Sequence, residues 1–143
     1  MPPTSFKHRA RTEAAMSRVW DRLQDPATWA LVAGVDGTSD HTFAGPDLTG
    51  FRFTTTIAGV PYRGTARVTD TTSGEGITLS IRSNELHGQI VVALGEDGTG
   101  TQLDVTMVMR PVGLLGPIVF PIVSRAVEEG FPESVERLAA QMG

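Results

Sequence analysis

The side chains able to do chemistry are few. Three histidines are present, His8, His41 and His87, and none has a partner at metal-ligand spacing, such as the i and i+4 pair of a helical zinc site. His87 alternates with Glu85 and Gln89, opposite the apolar residues of its segment, so it is expected to face solvent. Tyr62 is different, because it shares a face with Val60, Ala66 and Val68. A phenol on an apolar face can orient or acidify a ligand carbonyl, although a hydrogen-bonded core tyrosine accounts for it equally simply. The acidic groupings Asp70/Glu75, Glu96/Asp97 and Glu128/Glu129 fall in turns or on the wet side of a helix. Burial there would not raise a carboxyl pKa far enough for acid catalysis. Arg52, Arg63, Arg67 and Arg82 occupy outward positions and form a mildly basic face, but without interleaved aromatics they make no nucleic-acid platform. No nucleophile elbow, phosphate-binding glycine loop or dinucleotide fingerprint appears, and no cofactor is expected.

These residues must be positioned by a chain of 143 residues, 40% hydrophobic and 20% charged. That is an ordinary globular composition for one domain, expected over residues 1–143. The absence of cysteine excludes disulfides, thiolate metal sites and a cysteine nucleophile. A formal charge of −4 gives no global field toward nucleic acid. The basic N-terminus lacks an apolar run after it, and the longest uncharged run, Pro111 to Ser124, carries three prolines and is too short to cross a bilayer. The expectation is a cytoplasmic protein without an integral membrane segment.

Phe6 to Arg11 reads as a short strand. Thr12 is then expected to cap a helix beginning at Glu13, with Ala15, Met16, Val19, Trp20 and Leu23 at helical spacing. Asp25-Pro26 starts a second short helix, with Trp29, Leu31 and Val32 on its apolar side and Gly34 to stop it. From residue 40 the period becomes two. Strands are expected at Asp40–Ala44, Phe51–Ile57, Val60–Thr69, Ile77–Arg82, Leu86–Leu94 and Gln102–Met109, joined by turns such as Ala58-Gly59 and Glu96–Thr99. Helical spacing returns with Val119, Ile122, Val123, Ala126, Val127, Phe131, Val135, Leu138, Ala139 and Met142. Gly113, Gly116, Pro117 and Pro121 suggest a loop before that helix. The stripe keeps its phase across Pro132, which favours one kinked helix over two.

The layout is α+β: an antiparallel meander with one apolar face, covered by the one helix long enough to cover it. A curled sheet meets a straight helix along only part of its length, so the remainder is filled by side chains or left open. Gly64 and Gly88, on inward strand positions, mark either a bend in the sheet or room for a ligand.

Several residues resemble the START-like (SRPBCC, helix-grip) superfamily. It includes polyketide cyclases/dehydrases, birch-pollen-type allergens and proteins akin to a maturation subunit of carbon monoxide dehydrogenase. Ala15, Val19-Trp20, Leu23, Asp25-Pro26, Trp29 and Gly34-Val35 look like that family's opening "VW..L.D...W....GV" pattern. Gly98 to Val105 resembles its last strand, and the terminal amphipathic helix stands in the expected place. The resemblance implies a curved sheet of six to seven strands around the C-terminal helix, two short helices after strand 1, and an apolar cavity between sheet and last helix. Its implied partner is a small hydrophobic molecule. Walls of that cavity would come from Trp29, Phe53, Thr55, Ile57, Tyr62, Leu79, Ile81, Met107, Phe120, Val123, Val127 and Phe131. The resemblance leaves three functions in play. They are a binding or carrier protein, a polyketide cyclase, aromatase or dehydratase with Tyr62 as polar handle, and a maturation or interaction factor working through a surface or by membrane recruitment, with the Pro111–Val123 stretch exposed. A homodimer is compatible with all three.

Overall fold

The computed structural model describes residues 3–30, 35–57 and 59–142, with Ile57 described by its backbone alone. Strand β1 (Thr4–Thr12) is followed by helices α1 (Met16–Leu23) and α2 (Pro26–Trp29). Six strands come next: β2 (Val35–Ala44), β3 (Asp47–Ile57), β4 (Val60–Thr72), β5 (Gly76–Ser83), β6 (Leu86–Asp97) and β7 (Gly100–Pro111). Helix α3 (Gly116–Gln141) closes the chain. One antiparallel sheet has the order β1-β7-β6-β5-β4-β3-β2, so β1 pairs with the far end of the meander.

Alternation decides the faces. Ile77, Leu79 and Ile81 on β5, Ile90 and Val92 on β6, and Leu103, Val105, Met107 and Met109 on β7 are all buried. Helix α3 lies on that face, mainly along β1 and β7. It buries Phe120, Val123, Val127, Phe131, Val135 and Leu138, and the Phe131 ring meets Phe6 of β1 at 6.2 Å. His8 of β1 reaches Glu136 of α3 at 2.8 Å, which makes it a tether between sheet and helix.

Three local expectations change. Thr12 does not cap α1; it stays in β1 opposite Thr101, and its hydroxyl accepts the Ala14 N–H at 3.3 Å. The helix therefore starts at Met16, behind an Ala15 N-cap with no side-chain hydrogen bond. Gly116 and Pro117 lie in the first turn of α3 instead of a loop, with Pro at a position where a missing N–H costs nothing. Within α3, Ile122 and Ala126 point to solvent, and Phe120 takes the inward place. The helix runs unbroken through Pro121 and Pro132. Both prolines are exposed, as is Glu128 one turn before Pro132, so water can satisfy the carbonyl that Pro132 leaves unpaired. The expected end of α2 at Leu31, Val32 and Gly34, and Ala58 of the β3–β4 turn, lie outside the described residues. Among the described residues, no helix is long and apolar enough to cross a membrane.

Candidate functional site

The interior between the sheet and α2 holds a void of about 50 Å³. Trp29, Phe53, Leu79, Ile81 and Met107 line it, joined by Val35, Phe51 and Ile90. Among the described residues, every wall residue is hydrophobic. Trp29 is fixed as one wall from two sides. The Asp25 side chain accepts the Ala27 N–H at 3.0 Å and starts α2, and the Trp29 indole N–H donates to the Leu23 carbonyl at 2.8 Å.

On β4, small residues stand opposite large ones on the neighbouring strands. Register places Phe51 opposite Ala66, which in turn faces Ile81 on β5; Phe53 stands opposite Gly64. A Cβ at Gly64 would sit 2.5 Å from the Phe53 ring and 2.7 Å from the Arg82 carbonyl. Gly64 thus admits the Phe53 ring and a close approach of β5 together. The space under Gly64 is filled by this chain's own aromatic ring.

The other residues suggested by the sequence fall elsewhere. Phe120, Val123, Val127 and Phe131 are buried in the core but none borders the void, which has no wall from α3. Thr55 and Tyr62 are cross-strand neighbours beyond the void, toward the β3–β4 turn. Thr55 is buried and Tyr62 half-buried, and the Tyr62 hydroxyl makes no hydrogen bond among the described residues. The Ile57 side chain lies outside the described residues. Phe51 and Ile90 are legible as inward-facing from alternation alone, whereas Val35 reaches the void through the start of an edge strand, which no periodicity marks.

Titratable groups stay away from this interior. His41 bonds the Thr38 hydroxyl at 2.8 Å. On the outer face, His87 stands between Arg82 and Arg110, and partial desolvation, reinforced by these two cations, lowers its pKa. Asp104 accepts from Arg9 at 2.6 Å, which holds its carboxyl below the usual carboxylate range. Among the described residues no group of three His, Cys, Asp or Glu could hold a metal ion. Two open grooves, of about 620 and 920 Å³, run over the outer face beside β2, and both are lined by Arg52 and Arg82.

Comparison with known proteins agrees with this architecture. The model of the family described as "Polyketide cyclase / dehydrase and lipid transport" matches residues 3–143, and the chain belongs to that family. No curated protein matches significantly in sequence. A START superfamily protein from Mycobacterium smegmatis is 13% identical, with TM-score 0.72 over 97% of this chain and 99% of that one. The Zhui aromatase/cyclase from Streptomyces sp. R1128 is 14% identical, with TM-score 0.73 over 99% and 94%. A Thermus thermophilus protein is 12% identical, with TM-score 0.76 over 99% and 97%. At such identities the likeness shows the fold alone, the START-like helix-grip.

Proposed function

We propose that this member of the family binds a small hydrophobic molecule in the hollow part of its interior, between β3, β5–β7 and α2. The observation that carries this reading is a void whose walls, among the described residues, are all hydrophobic. Its volume is about 50 Å³. A ligand site typically encloses ~300 Å³ or more, so a guest must displace part of the wall. The wall that yields is the β2–β3 edge. Its pairing is interrupted by three register shifts, and half-buried Phe53 is the most exposed aromatic lining the void.

Enclosing roughly 300 Å² of apolar ligand contributes about 7 kcal/mol at ~25 cal/mol/Å². Association takes back at least about 4, and opening the wall lowers the apparent affinity by the fraction of molecules that are open. What remains corresponds to millimolar binding or weaker. A polar anchor is therefore needed, and we assign that role to Tyr62, which lies past the void toward the β3–β4 turn and would serve only a guest long enough to extend that far.

A panel of fatty acids, aromatic polyketides and sterols, read by calorimetry and thermal shift, tests the proposal. At least one class is expected to bind, and Met107→Phe, which fills the void, is expected to abolish that binding while the protein stays folded. A panel without heat or shift, or binding indifferent to Met107→Phe, overturns it.

A further inference from the structure

We propose that the end of the molecule formed by the β5–β6 turn, the β7–α3 loop and the first two turns of α3 docks onto an anionic lipid bilayer. Two independent features meet there. The first is an apolar projection. Leu114 is 94% exposed, Leu115 59%, Ile118 69% and Ile122 51%. Leu115, Ile118 and Ile122 follow helical spacing and form one outward stripe on α3, away from buried Phe120 and Val123. Isolated exposed apolar residues are ordinary on a surface, but a contiguous set on one tip marks a contact site.

The second feature is a row of cations. Cross-strand register aligns Arg52, Thr65, Arg82, His87 and Arg110 across β3 to β7, with Arg63 one row nearer the end. Arg52 meets Asp40 at 3.5 Å, but Arg63, Arg82 and Arg110 have no ion pair among the described residues. At the opposite end of the sheet the pattern reverses: Arg9 is paired with Asp104, and Arg11 with Asp97 and Glu13. The acidic groups at this end are Glu85 and, on β2, Asp36 and Asp40; Glu128 and Glu129 lie farther along α3.

Backbone contacts hold the two features together. The Val112 N–H donates to the Glu85 carbonyl at 3.0 Å, and Gly113, at φ 71°, lies against the Asn84 carbonyl. The apolar tip thus stands on the turn that follows Arg82 and precedes His87. Hydrocarbon-seeking side chains at the same end of the fold as unpaired cations on the sheet's outer face, on a chain of net charge −4, ask for a partner with a soft apolar interior and diffuse negative charge. An anionic bilayer offers both without shape matching. A protein partner would find only four exposed large apolar side chains to bury here, against the roughly 20–30 residues a side of a stable interface. The inference does not rest on the ligand reading, since no wall residue of the void is involved.

The test is flotation of the full chain with vesicles of phosphatidylcholine alone and with about a quarter phosphatidylglycerol, at low and high salt. Binding is expected to the anionic vesicles only and to be lost at high salt. It should weaken roughly fivefold for each cation removed in Arg82→Gln and Arg110→Gln. Leu114→Ser with Ile118→Ser should abolish it without changing thermal stability, and Arg137→Gln, at a paired arginine elsewhere, should leave it unchanged. Indifference to vesicle charge, no binding, or no effect of the leucine and isoleucine changes overturns the proposal. So does arginine-dependent binding to soluble polyglutamate with no vesicle binding, which would make the face a protein-docking surface. Vesicle failure with a positive ligand panel sinks this inference and leaves the ligand reading standing.

Discussion

One half of the interior is solid and the other is not. Under α3 and α1, Val19, Leu23, Leu103, Val135, Leu138 and Met142 have no exposed surface, and Val105 and Phe131 have almost none. Under α2, beside the edge strand, the walls leave about 50 Å³ unfilled. The two halves share one continuous sheet and one cluster of buried residues. They differ in what lies across from the sheet. A 26-residue helix presents a buried residue at nearly every turn to β1 and β7, whereas the four residues of α2 present a single large wall, Trp29. A long element fills its share of a curved sheet and a short one cannot, so the free volume gathers beside the short one.

Substitutions can break or sharpen that contrast. Phe131→Ala in the solid half should cost about 3–5 kcal/mol, a fall in Tm of roughly 10 °C on thermal denaturation, because its neighbours are closely packed and cannot collapse into the gap. Met107→Ala on the void should cost less, about 2 kcal/mol, since adjacent walls already have room to move; the enlarged void should also gain a thermal shift from a one-ring guest such as benzene. Equal losses at the two positions would erase the distinction. Trp29→Phe keeps the wall but leaves the Leu23 carbonyl without its indole donor, for an expected loss of about 1–2 kcal/mol in urea unfolding. The smallest effect concerns the outer face. His87 should titrate below 6.5 in a proton NMR titration, and Arg110→Gln should raise its midpoint. The sign follows from linkage. The folded state binds its proton later than the unfolded one, so stability falls as pH drops from about 6.5 through the folded pKa.

Much of this arrangement is legible in residue order. Alternation at Ile77–Ile81 and Leu103–Met109 marks the correct inward face, and Asp25-Pro26 the correct helix start, because each signal is local and strong. Thr12 misleads, since a threonine before an acidic residue satisfies a cap pattern while strand pairing to Thr101 holds it in β1. Ile122 misleads for a related reason: at helical spacing the apolar stripe is broader than the face α3 can bury, and only the sheet's curvature selects Phe120 over Ile122. Neither the place of the void nor its small size is written in any local pattern. Gly64 signals a gap, but whether a guest or the Phe53 ring takes it depends on cross-strand register.

Residue periodicity alone settled most of the strands, the terminal helix and the inward side chains of β5 and β7, since these depend on neighbours two to four positions apart. Which inward residues touch, where packing fails, and which cations end up without partners at the same end as an apolar tip were decided by tertiary structure. Those relations join residues from separate strands and helices, such as Trp29 with Met107 and Arg82 with Arg110, and only closure of the sheet around its helices brings them together.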